Sequence, residues 1–114
     1  MAGTLEINEH VAWMPAGWVF DGVLELIASE IGTDNAELAA ILNQARAVGI
    51  QYGDLRGIGS DQFGALLRSA ERAYAKALAR GPSGFNNPIF YGGFMTHFES
   101  LMEVLRSDPR ATKC

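Results

Sequence analysis

At 114 residues, 48% of them apolar and 19% charged, the chain has the size and balance of one globular domain that needs no metal or disulfide to hold its core. Its apolar runs are too short to span a bilayer, and Met1–Glu6 lacks the basic start and apolar stretch of a secretory signal. The lone cysteine, Cys114, has no internal partner, so a reducing, cytoplasmic setting is expected. The net charge of −4 is unevenly spread. Residues 1–45 hold seven acids (Glu6, Glu9, Asp21, Glu25, Glu30, Asp34 and Glu37) and no Lys or Arg, while all nine basic residues lie from Arg46 onward. Such segregation bears on partners rather than on fold.

No repeat, low-complexity tract or linker divides the chain, so residues 1–114 read as a single domain. Leu5, Ile7, Val11 and Trp13 follow a period of two broken by Glu9. Residues 1–17 are therefore expected as an extended arm, which either lies as a lid over the helices or pairs with Ile50–Tyr52. A first helix over 18–31 places Phe20, Val23, Leu24, Ile27 and Ile31 on one face and stops at Gly32. Thr33 and Asp34 offer N-caps to a second helix over 34–48, with Leu38, Ile41, Leu42, Ala45 and Val48 inward and Gly49 at its end. Residues 50–59, with three glycines, read as a loop.

The third helix, 60–80, has the strictest period. Ser60 is its expected cap, Asp61 lies in its first turn, and Phe63, Leu66, Leu67, Ala70, Tyr74, Ala77 and Leu78 form its inner face. Gly81-Pro82 ends it. Asn87 and Pro88 start a fourth helix over 88–107, whose inner side is Phe90, Phe94, Phe98, Leu101, Met102 and Leu105. Asp108-Pro109 closes it and leaves a polar tail. Gly92-Gly93 inside this run points to close approach of another backbone, a kink or a later helix start. Four amphipathic segments joined by short loops predict an all-α fold, a compact bundle with an extended N-terminal arm.

Three surface features carry functional expectations. Arg68, Arg72, Lys76 and Arg80 recur at steps of four on the third helix, with Ala65, Ser69, Ala75 and Ala79 beside them, as a basic ridge turned away from the core. It is either a solvated face or a docking strip for an acidic partner; nucleic acid is not expected on an acidic chain with no aromatics between the charges. Glu6, Glu9, Asp21 and Glu25 form an acidic patch suited to a basic toxin or nuclease, or to solubility alone. Tyr91 and Met95 broaden the apolar stripe of the fourth helix into a candidate interface, including that of a homodimer.

Catalytic and metal signals are weak. His10 and His97 have no second ligand at metal spacing, and no Glu-x-x-His pair is present. Gly57-Ile58-Gly59-Ser60 fits neither phosphate-loop spacing, and Asp61 would repel an anion there. No metal and no cofactor is expected. In size, acidity and helicity the chain is similar to bacterial immunity proteins and toxin-neutralising inhibitors, a likeness of class without a shared motif. It implies a non-enzymatic protein-binding module that acts by occlusion. The alternatives are a small oligomeric regulator or accessory subunit holding a ligand between helices, and an enzyme with a site near Asp54, Arg56, Asp61 and His97.

Overall fold

The alternation of the N-terminal segment is that of a true strand: Leu5, Ile7 and Trp13 are buried, and Glu6 faces outward. The computed structural model describes residues 3–32, 35–47, 50–84 and 89–111. β1 (Thr4–Glu6) pairs antiparallel with β2 (Ala12–Trp13), Leu5 opposite Trp13, and parallel with β3 (Tyr52–Asp54), Leu5 opposite Gly53. The sheet order is β2-β1-β3. Asn8 builds the β1–β2 turn, its Oδ1 accepting the His10 amide at 2.8 Å.

The fold is mostly helical, but the expected all-α class and extended arm are corrected by this small mixed sheet. The segment does pair near Ile50–Tyr52, two residues further along. The strand in that stretch is concealed in the sequence because its inward position is Gly53. A Cβ there would lie 2.8 Å from Leu5 Cδ1 and 3.0 Å from Ala45 Cβ, so the site admits only glycine and shows no hydrophobic period.

Four helices cover the sheet and one another: α1 (Gly17–Glu30), α2 (Ala36–Ala45), α3 (Ser60–Arg80) and α4 (Ile89–Ser107). α1 buries Phe20, Val23, Leu24 and Ile27 as expected, and packs on each of the other three helices. α2 buries Leu38, Leu42 and Ala45. Its expected starts and end (Thr33, Asp34, Val48 and Gly49) lie outside the described residues, as do Asn87, Pro88, Phe85 and Cys114. α3 has the predicted bounds and ends at Gly81, whose φ of 67° suits glycine. Gly59 rather than Ser60 is its N-cap, and no side-chain cap bond is made.

The buried face of α3 is turned about 60° from the expected one, at 3.6 residues per turn. Ala65, Ser69 and Ala73 are buried with Phe63, Leu66 and Ala70, whereas Leu78 is exposed. The cause is the position of α1, which lies on the small side chains that had seemed to flank the basic ridge. Phe20, Phe63 and Phe98 are fully buried, each worth about 1.5–3 kcal/mol of transfer free energy. α4 runs unbroken through Gly92 and Gly93, and a Cβ on either would meet nothing within 4 Å. Neither a later helix start nor a close approach of another described backbone accounts for that glycine pair.

The polar tail is also corrected. Pro109–Ala111 makes a 3-10 turn, and the Arg110 guanidinium lies 4.3 Å from the Phe63 ring centroid. It donates to the carbonyls of Ile7 (2.6 Å), Leu55 (2.7 Å) and Ile58 (2.9 Å) and to both carboxylate oxygens of Asp108. Asn8 Nδ2 donates to the same buried carboxylate at 3.0 Å. The two ends of the chain are thereby fastened over β1. Arg110 and Asn8 hold the Asp108 carboxyl down at about 2.

Candidate functional site

The residues of the enzyme reading do not converge. Asp54 lies on β3 and is taken up by Arg56, whose Nε is 2.9 Å from Asp54 Oδ1; those hydrogen bonds lower its pKa to about 2. His97 is exposed on α4, and its carbonyl accepts Trp13 Nε1–H at 3.0 Å beside β2, the opposite edge of the sheet from β3. Asp61 is exposed in the first turn of α3. Among the described residues no His, Cys, Asp and Glu cluster has metal-binding geometry, and no helix is long and apolar enough to cross a membrane.

The charge segregation of the sequence is largely a pattern of long-range pairing. Arg46, at the end of α2, reaches Asp21 (3.2 Å) and Glu25 (3.3 Å) on α1. Arg56 also approaches Glu6 (3.5 Å), which accepts the Tyr52 hydroxyl at 2.6 Å; that bond raises the Tyr52 pKa. The acidic patch therefore divides into two sets on different elements, Glu6 and Glu9 on the sheet hairpin and Asp21 and Glu25 on α1. Of the four, Glu9 alone has no ion pair among the described residues.

The basic ridge divides as well. Arg72 (3.7 Å) and Lys76 (2.7 Å) both meet the mostly buried carboxylate of Glu30, and Arg72 also donates to the Glu30 carbonyl at 3.1 Å, within the last turn of α1. They lean against α1 instead of pointing straight into water. Arg68 and Arg80 are exposed and have no ion pair among the described residues.

Between α1, α3 and the start of α4 lies an open groove of about 390 Å³. Its floor is Gly22, Leu26, Ala73, Ala77 and Phe94, and its walls carry Glu25 and Glu30 on one side, Lys76 and Arg80 on the other. Trp18 adjoins the groove through Phe94, its ring centroid 6.0 Å from that ring and 5.5 Å from Phe90. Trp18 is 50% exposed and Phe90 52%. Gly22 allows this arrangement, since a Cβ there would be 2.9 Å from Phe94 Cε2. Phe90 was expected in the core; the α4 stripe runs past the elements that could bury it. Met95 is corrected in the opposite sense: at 5% exposure it belongs to the core and cannot meet a partner, and Tyr91 is half-buried.

The sequence reading did not find Trp18, Phe90, Arg46 or Arg110. One signal was available for the first two: aromatic residues at 18, 90 and 94 lie at helix starts, where a stripe outruns its covering.

The architecture is thus that of a small helical domain capped by a three-stranded mixed sheet. No protein-family model and no curated protein sequence matches the chain. The fold does have a solved counterpart. It is similar to a chain in the structure of a CdiA-CT toxin from Burkholderia pseudomallei E479 in complex with its cognate CdiI immunity protein. The TM-score is 0.78 at 18% identity, over 96% of this chain and 99% of that one. At such identity the likeness defines a shared fold.

Proposed function

We propose that the chain is a non-enzymatic inhibitor of the immunity or antitoxin type, which silences a protein toxin by covering it. The observation that carries this reading is the end-to-end fold match to a chain of a toxin–immunity complex. The separation of His97, beside β2, from the Asp54–Arg56 pair at β3, the opposite edge of the sheet, supports the inhibitor side of such a pair. In this role the protein works in the cytoplasm and needs no cofactor.

The test is growth of cells that express the toxin domain encoded beside this gene. Co-expression of the chain restores growth and the two proteins co-purify in a fixed ratio. Expression of the chain alone leaves growth untouched. Growth arrest by the chain itself would assign it to the toxin side and overturn the proposal.

A further inference from the structure

We infer that the partner docks in the α1–α3–α4 groove and brings an acidic, apolar segment to it, with an aromatic or aliphatic side chain against Trp18 and Phe90 and a carboxylate at Arg80. This rests on the inhibitor reading and adds to it the surface and the chemistry of the contact.

Shape and composition come first. A groove with an apolar floor and an exposed arginine on its wall, adjoined through Phe94 by the half-exposed rings of Trp18 and Phe90, has the residue types that anchor protein interfaces. Trp18 already packs against both Phe90 and Phe94, so less side-chain freedom remains to be lost on binding.

Charge decides the occupant. The carboxylates around the groove are already met by cations: Arg46 is shared by Glu25 and the neighbouring Asp21, and Glu30 meets both Arg72 and Lys76, which leaves Arg80 in excess. Arg80 has no counter-ion among the described residues. The groove therefore presents uncompensated positive charge on a chain whose net charge is −4. At the sheet end the balance is reversed, because Arg56 alone serves Glu6 and Asp54, and Glu9 is left over. Complementarity selects an acidic segment at the groove and disfavours a basic one. The Arg80 guanidinium offers a planar fork for a bidentate carboxylate contact, which a lysine in its place would not provide.

The experiment uses the full chain and, as probe, the purified toxin domain encoded beside it, with affinity read by calorimetry. Trp18→Ala and Arg80→Glu each weaken binding at least tenfold, while Glu9→Gln, at the sheet end, leaves it unchanged. Substitution of an acidic toxin residue by lysine restores binding to the Arg80→Glu chain and weakens it to the wild type. Absence of a wild-type complex overturns the inhibitor reading together with the groove. A wild-type complex that survives both groove substitutions overturns the groove alone. Tighter binding by Arg80→Glu would show a basic segment instead, and self-association lost in Trp18→Ala would show a second copy of the chain; either result refutes the acidic occupant. Arg80 has no side-chain ion pair among the described residues and Trp18 is half-exposed, so retained helicity in both variants separates binding from folding.

Discussion

The two ends of this molecule treat their polar and apolar groups in opposite ways. At the sheet end, the guanidinium of Arg110 is fully engaged with three carbonyls, a buried carboxylate and an aromatic face, and Asn8 completes the set. At the groove end, two aromatic rings stay half in water and Arg80 has no counter-ion among the described residues. The Arg110 cluster is satisfied within the fold and has little left to offer a partner. Where groups are left open at some cost to the isolated chain, binding can complete them. Under the proposed docking, stability and recognition fall to different ends.

Substitutions should separate along the same line. The largest effect is expected at Arg110. Arg110→Ala strands the Asp108 carboxylate in the interior and removes donors from three carbonyls, so denaturant unfolding should show a loss of about 3–5 kcal/mol. An equally stable variant would mean that the clamp is ornamental and that the comparison fails.

The next effect is one of pH. Asp108 has its folded pKa lowered from 3.8 to about 2, so the carboxylate form is favoured in the native state. Its contribution, of order 2 kcal/mol, is present in full well above pH 3.8 and is lost as pH falls toward 2. Asp108→Asn should flatten the acid limb of the stability curve between those values. An unchanged limb would contradict the assignment.

Smaller changes belong to the groove end. Gly92 and Gly93 are exposed near the start of α4, and a Cβ on either would meet no described atom within 4 Å, so Gly92→Ala and Gly93→Ala should each stabilise the protein by about 0.5–1 kcal/mol. Destabilisation by either would reveal a contact that the fold does not show. Glu30→Gln, which loosens Arg72 and Lys76, should cost only about 0.2–1 kcal/mol, because both cations are more than half exposed.

The helices were legible because their apolar residues recur at 3.6, and α3 was bounded to the residue by Asp61, Arg80 and Gly81. The sheet was only half legible. β1 shows its alternation at Leu5 and Ile7, but β3 hides its own behind Gly53, a position closed by Leu5 and Ala45. Pairing across distance was the larger blind spot. The acids of residues 1–45 seemed free for a partner, yet Asp21, Glu25 and Glu30 find Arg46, Arg72 and Lys76 only once α1, α2 and α3 are packed. Composition registers that charges are segregated; it cannot tell whether they meet inside the same molecule. The groove shares this property, since Trp18 and Phe90 are far apart in sequence and adjacent only through the α1–α4 contact.

Hydrogen–deuterium exchange on the chain with and without the proposed toxin partner tests the division of labour most directly. Slowed exchange on binding should be confined to α1, the C-terminal half of α3 and the first turns of α4, with β1, β3 and the Pro109–Ala111 turn unchanged. Protection over Thr4–Glu6 and Tyr52–Asp54, with the groove helices unaffected, would place recognition at the wrong end and contradict the account.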